Sequence, residues 1–366
     1  MSQQSNSKRI AVIEGDGIGK EVVSVGVALL ERLAEARGYQ FELVHFDLGA
    51  DRFLRDGATF PEEDQQTIRE TCDAVLLGAL GDPRVPSLDY ARDILFGLRF
   101  GLDLYCNIRP IQCLSDRLMP LKGKSAKDCD MVVFRENTEG IYVNVGGQFK
   151  KGTPDEVAIN EDINTRKGVE RVIRAAFDFA KAHGRGRVHM ADKSNAMKHA
   201  HELWQRCFRE VAADYPGIEA KHQYVDALCF NLIRDPSQFD VVVTNNLFGD
   251  IVTDLGAALQ GGLGMAASAN VNPGRIGLFE PVHGSAPDIA GEDRANPTSL
   301  ILSAAMMLDF LAETRGLAHY AEAARGIEHA IDAALAEAAT RTADLGGSLG
   351  TAAFAARVAD ALAVAD

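Results

Sequence analysis

Short runs of consecutive apolar residues alternate along this chain with longer amphipathic stretches, and that alternation restricts the fold to the α/β class. The runs at 10–13, 41–46, 75–77, 131–134, 188–191 and 241–244 read as strands, and 19–37, 165–183, 195–214 and 296–314 read as helices. One region departs from the rhythm. Between 140 and 163, apolar and polar residues alternate around Gly146-Gly147 and Lys151-Gly152-Thr153-Pro154, which predicts hairpin strands, either an ordinary surface hairpin or a clasp for a second subunit. The last stretch of about 60 residues is Ala-rich and helical, interrupted at Asp344-Leu345-Gly346-Gly347.

At 366 residues the chain suits two domains of ordinary size. A net charge of −14 argues against non-specific binding to nucleic acid or to an anionic membrane, while leaving room for a local basic pocket. Six cysteines, at 72, 106, 113, 129, 207 and 229, show neither C-x-x-C spacing nor a disulfide framework, so a reduced, cytoplasmic compartment is expected. The first seven residues are polar, and no run of 18 apolar residues follows, which disfavours secretion and membrane spanning.

The segment Asn246-Leu247-Phe248-Gly249-Asp250-Ile251-Val252-Thr253-Asp254 follows a strand-like run and sets two carboxylates four residues apart. On a helix both leave one face, one turn apart. Such a pair is either a solvated helix face or two oxygen ligands for a hard divalent ion that keeps places for a substrate's own oxygens. Arg99, Arg109 and Arg135 are each compatible with a surface ion pair; converging on a cleft they would clamp a dicarboxylate. Tyr142 and Lys193 are candidates for proton transfer, since a lysine beside a divalent cation has its ammonium form disfavoured. Glu14-Gly15-Asp16-Gly17-Ile18-Gly19 resembles a nucleotide loop but does not meet G-x-G-x-x-G, so a turn needing flexible backbone is expected there. A dinucleotide is expected instead at Glu280-Pro281-Val282-His283-Gly284-Ser285-Ala286-Pro287-Asp288-Ile289, where small residues allow close backbone approach. Asp288 would accept from a ribose 2′-hydroxyl and repel a 2′-phosphate, which predicts NAD over NADP.

Taken together, Glu14 to Gly19, Asn107 to Pro110, Arg135 to Gly140, Asp192 to Asn195, Asn245 to Asp254 and Glu280 to Ile289 closely resemble the isocitrate and isopropylmalate dehydrogenase family of metal-dependent β-decarboxylating dehydrogenases. The resemblance runs from about Lys8 to the last helix. It implies a two-lobed α/β fold with a shared mixed sheet, distinct from a Rossmann fold, with 1–104 and 261–366 forming the lobe that carries most of the NAD site and 105–260 forming the other. It implies a homodimer whose sites are completed across the interface, with Lys193 and Asp226 coming from the partner. Asp226, Asp250 and Asp254 would hold Mg²⁺ or Mn²⁺. Lys193 would assist hydroxyl deprotonation, Tyr142 would protonate the enol carbon, and Arg99, Arg109 and Arg135 would orient the leaving carboxylate. The segment Glu280 to Ile289, with His283, Gly284, Ser285, Ala286 and Pro287 among its residues, together with Asn296, would contact the cofactor.

In such a family the residues before Arg99 choose the substrate. Leu95 and Phe96 form an apolar wall that favours an alkyl substituent on malate, with isopropyl the first expectation. Leu95-Phe96-Gly97 also resembles the D-malate and tartrate branch, whose substrates are smaller. Arg92 is expected to pair with Asp89 or Asp93, or to contact an anionic substituent. A regulatory subunit without activity is the remaining alternative, which the complete set of Tyr142, Lys193, three aspartates and three arginines disfavours.

Overall fold

A computed structural model describes residues 7–364. Its strands are β1 (Lys8–Gly15), β2 (Phe41–His45), β3 (Ala74–Ala79), β4 (Cys106–Gln112), β5 (Asp130–Glu136), β6 (Gly146–Phe149), β7 (Val157–Asn160), β8 (Arg187–Asp192), β9 (Glu219–Tyr224), β10 (Val241–Thr244), β11 (Ala267–Asn272) and β12 (Ile276–Pro281). Its helices are α1 (Gly19–Arg37), α2 (Ala50–Asp56), α3 (Glu62–Thr71), α4 (Asp89–Gly101), α5 (Arg166–Ala182), α6 (Lys198–Ala212), α7 (Val225–Arg234), α8 (Asn246–Leu259), α9 (Thr298–Arg315), α10 (Ala318–Leu335) and α11 (Thr351–Val364). Contacts divide the chain into unit 1, residues 1–104, 113–126 and 257–366, and unit 2, residues 105–112 and 127–256.

Residues 113–126, expected in the middle lobe, thus fold with unit 1. Arg117 holds that segment by donating to the Ala336 carbonyl just beyond α10 (2.7 Å), and Leu118 lies against Gly261.

In unit 1 the strands run in the order β2-β1-β3-β12-β11, parallel except for β11, which is antiparallel to β12. Ala11, Ile13, Val75, Leu77 and Leu278 from the sheet meet Tyr90, Ile94 and Leu98 of α4, which recur every four residues and define that helix's buried face. The same face sets where Leu95, Phe96 and Arg99 can point. α9 has buried residues around most of its circumference, as a helix enclosed by its neighbours must.

Unit 2 has the order β4-β5-β10-β8-β9, with β4 antiparallel to β5 and the rest parallel. α5 buries Val169, Val172, Ile173, Ala176, Phe177 and Ala180 at helical spacing, and Thr165 caps it by accepting from the Gly168 N–H (3.0 Å). α6 begins at Lys198, not at 195, because 193–197 form a turn in which the Ala196 and Met197 N–H groups donate to the Lys193 carbonyl (2.9 and 2.8 Å). The expected hairpin is present as β6 and β7, antiparallel with Gly146 opposite Asn160 and exposed at every position.

Candidate active site

The unit 2 constellation is built on α8. The Asn245 side-chain oxygen accepts from the Phe248 N–H (2.9 Å), closing the turn that carries β10 into the helix. Asp250 and Asp254 then leave the same side, with 40% and 59% of their side chains exposed. Arg109 and Arg135 stand on the neighbouring strands β4 and β5. The Arg135 guanidinium is 2% exposed; its Nε and Nη2 donate to Asn246 Oδ1 (2.9 and 2.8 Å) while Nη1 donates to Asp250 Oδ1. Arg109 Nη1 donates to Thr253 Oγ1 (2.6 Å) and lies 3.6 Å from Asp250 Oδ1 and 3.9 Å from Asp254 Oδ1. Tyr142 donates its hydroxyl to Asp250 Oδ2 (3.1 Å), and its ring lies 5.3 Å from the Arg135 guanidinium carbon.

This packing requires Gly249. A Cβ there would lie 2.5 Å from Arg135 Cγ and 2.6 Å from its Cβ, so the arginine stem passes over the helix where no side chain intervenes. The two aspartates are driven apart electrostatically. Burial, the largest influence on Asp250, raises its pKa, but the Arg135 and Arg109 charges outweigh it and hold the carboxyl below its usual range. Burial and the neighbouring Asp250 charge push Asp254 above its usual range.

Lys193 follows β8 in a tightly determined loop. Its N–H donates to His201 Nδ1 (2.7 Å), and the preceding Asp192 accepts from the Ser194 N–H and hydroxyl (both 3.0 Å) and from His222 (2.8 Å). The ammonium itself reaches Asp226 Oδ1 at 2.6 Å. That hydrogen bond holds the exposed Asp226 carboxyl below its usual range. Asp226 does not join Asp250 and Asp254 within the chain: among the described residues no three His, Cys, Asp or Glu side chains gather to hold a metal.

In unit 1, Arg99 is 6% exposed and donates to Glu280 Oε1 (3.2 Å), which also accepts from Asn270 (2.7 Å). Glu280, expected to contact a cofactor, therefore spends this oxygen anchoring an arginine. Leu95 packs against the unit 1 core, and the half-buried Phe96 stacks on Phe100 with centroids 5.4 Å apart. Arg92 makes no ion pair with Asp89 or Asp93 among the described residues; its guanidinium carbon lies 5.7 Å from the Phe96 ring centroid.

The loop after β12 has its own accounting. His283 Nδ1 donates to the Gly284 carbonyl (2.9 Å), burial lowers the imidazole pKa, and Nε2 is buried with no partner among the described residues. Nothing lies within 4 Å of where a Cβ on Gly284 would be. Ala286 adopts φ +36°, the Ile289 N–H closes a turn onto its carbonyl (3.1 Å), and Pro287 and Asp288 are exposed. Asn296, expected to contact the cofactor, donates its amide to Asp344 (3.0 Å), and its oxygen accepts from the Thr298 N–H (3.0 Å) at the start of α9.

Two residues at these sites, Asn246 and Asn270, escaped the sequence reading as site residues. Asn246 lies one helical turn before Asp250, so the spacing that singled out the aspartates would also have found it. Asn270 is 10 residues from Glu280, on the strand paired with it, and no local pattern announces it.

Residues 9–362 match the family model described as isocitrate/isopropylmalate dehydrogenase. The chain is 46% identical to the 3-isopropylmalate dehydrogenase of Thermobifida fusca over 90% of its own length and 92% of that protein. It is 45% identical to that of Streptomyces coelicolor over 97% and 99%. Among solved structures, isocitrate dehydrogenase from Methylococcus capsulatus superposes with a TM-score of 0.85 at 34% identity, covering 97% of this chain and 99% of that one. The chain belongs to the isocitrate/isopropylmalate dehydrogenase family.

Proposed function

We propose that this dehydrogenase oxidises and decarboxylates 3-isopropylmalate to 2-oxo-4-methylpentanoate and CO₂, as a step of leucine synthesis, using NAD with Mg²⁺ or Mn²⁺. The observation that carries the reading is the joining of Asp250 to Arg135, Arg109 and Tyr142 on one face of α8, beside Asp254. Relatives named 3-isopropylmalate dehydrogenase at 45–46% identity favour isopropyl as the substituent.

The residues present fit both the ion and the dinucleotide. Two half-exposed carboxylates one helical turn apart are the donor type that a hard divalent ion takes, and Asp226 of a second subunit would complete the set. The orphaned His283 Nε2 and the open space beside Gly284 suit a polar, close-fitting ligand such as NAD. Bound there, the ion would polarise the C2 oxygen and offset the charge that develops as CO₂ leaves, while NAD takes the hydride.

The chain's own side chains do the rest. Lys193 of the second subunit, as the neutral amine, would receive the C2 hydroxyl proton on Nζ, with Asp226 of that same subunit orienting it. Tyr142 Oη would deliver a proton to the enol carbon, its hydroxyl already aimed by Asp250. Arg109 and Arg135 would grip the carboxylate to be lost, and Arg99, fixed by Glu280, would assist. A homodimer is supported by the exposed β6–β7 hairpin and by exposed Phe230 and Ile251, the latter adjacent in sequence to Asp250. No described helix is long and apolar enough to cross a membrane. Six free cysteines support a reduced, cytoplasmic location.

The Phe96–Phe100 stack favours one second reading, in which an aromatic ring occupies the isopropyl space and D-malate or tartrate is the substrate. NADH formation across 3-isopropylmalate, D-malate, tartrate, isocitrate and homoisocitrate, with Mg²⁺ or Mn²⁺ and again after EDTA, tests both. The highest kcat/KM is expected for 3-isopropylmalate and its loss with EDTA; a higher value for D-malate sinks the first reading.

A further inference from the structure

The turn at Glu14–Gly19 looks like a nucleotide loop, yet two of its backbone N–H groups and the Asp16 side chain are engaged inside the protein. The Asp16 N–H donates to the Ala79 carbonyl (2.7 Å) and the Ile18 N–H to the Ser285 carbonyl (2.8 Å), so neither is free to cradle a phosphate. Gly17 has φ +54°, and a Cβ on it would sit 2.0 Å from the Ser285 oxygen. Gly15, at φ +72°, comes equally close to the Ala79 oxygen. The glycines thus serve backbone-to-backbone contact, one of them against the loop expected to hold the cofactor.

The Asp16 side chain faces another way. It is 3% exposed; Oδ1 accepts from the Ala50 N–H at the start of α2 (2.7 Å), and Oδ2 accepts from the Gly81 N–H (2.8 Å) and from the Tyr90 hydroxyl (2.6 Å). Tyr90 is fully buried in the first turn of α4 and stacks on Phe53 of α2 at 5.6 Å. Burial, with the Asp16 hydrogen bond and charge, keeps the phenol protonated, so it remains a donor. Leu95, Phe96 and Arg99 follow on the same helix, and a rigid helix fixed at its first turn fixes the direction of each.

We propose that Asp16 is a positioning residue that couples the cofactor loop to the substrate-selecting helix α4, through the Gly17–Ile18 backbone that follows it and meets Ser285 on one side, and through Tyr90 on the other. The proposal rests on the functional reading above for what each end binds. Its coupling is reciprocal: ligand that orders α4 tightens the loop at 283–289, and NADH bound at that loop holds α4 in register.

Tyr90→Phe keeps the ring and removes only the bond to Asp16. KM for 3-isopropylmalate should rise about fivefold, the scale of one ordinary intramolecular hydrogen bond, and the preference over D-malate should fall by a similar factor. The affinity for NADH alone, read by its fluorescence, should stay unchanged. In Asp16→Asn the carboxamide turns an N–H toward the Gly81 N–H, and NADH binding should weaken about tenfold. The ratio of NADH affinities with and without 3-isopropylmalate, different from one in the wild type, should move towards one in both variants.

Melting temperatures that fall while KM, preference and NADH affinity keep wild-type values would overturn the proposal, as would a wild-type affinity ratio of one. Wild-type turnover of neither malate would defeat the functional reading instead. NADH titration of Asp16→Asn then still decides the coupling, with unchanged affinity counting against it.

Discussion

Asp16 in unit 1 and Asp250 in unit 2 both gather donors from several elements, but under opposite conditions. Asp16 is 3% exposed and, among the described residues, its carboxylate takes its hydrogen bonds from neutral groups: two backbone amides and a phenol. Asp250 keeps 40% of its side chain exposed, beside two guanidiniums and the second carboxylate of Asp254. A carboxylate satisfied by neutral donors and sealed from water fixes the chain; one left accessible among several charges is poised for a ligand. The contrast separates the structural from the chemical acid by surroundings alone.

The largest test of that contrast is a crossed pair of variants. Asp250→Asn should lower kcat by at least about 10²-fold, the scale of losing one preorganised group at a reacting centre, with little change in melting temperature. Asp16→Asn should show the reverse weighting, a larger fall in melting temperature and a smaller one in kcat. Equal losses of kcat in the two would erase the distinction. Next in size is Gly249→Ala, which places a methyl against the Arg135 stem. Overpacking there should cost about 1–3 kcal/mol in denaturant unfolding. Displacement of the arginine should also raise KM for the substrate; a change in stability without one would mean that Arg135 does not touch substrate. Glu280→Gln leaves the Arg99 guanidinium with a neutral partner, and a rise in KM of about tenfold is expected. An unchanged KM in steady-state kinetics would remove Arg99 from substrate binding.

Much of this contrast was legible in the sequence on one side and hidden on the other. Asp250 and Asp254 announce themselves because helical spacing puts them on one face. The partners of Asp16 lie 34, 65 and 74 residues away, where no local periodicity reaches. The same reasoning sorts the strands. Val241–Thr244 is buried at every position and reads as an apolar run. β11, Ala-Ser-Ala-Asn-Val-Asn, is equally buried but built of small and polar residues, and the exposed β9, Glu-Ala-Lys-His-Gln-Tyr, has no apolar face. Burial of polar residues is decided by tertiary hydrogen bonds, such as that from Asn270 to Glu280, and these leave no mark on local composition.

Asp309 on α9 supplies the limiting case, and the smallest effect on activity. Among the described residues this half-buried carboxyl accepts no hydrogen bond; burial, then the Glu328 and Glu313 charges, raise its pKa to about 7, with Arg325 opposing. The unfolded chain loses this proton near the ordinary value of 3.8, so between about pH 4 and 7 the folded state holds a proton that the unfolded state has released. Stability must therefore fall as pH rises through that window, the reverse of what the depressed Asp250 contributes. Asp309→Asn removes the ionisation and should stabilise the protein at pH 8 by a few kcal/mol at most, with little gain at pH 4. Turnover should be untouched, because α9 lends this side chain to neither proposed site. Thermal unfolding of wild type and variant at the two pH values checks the sign: an equal gain at both would show that ionisation of Asp309 is not its source, and a loss at pH 8 would make Asp309 a second Asp16, a carboxylate satisfied by donors.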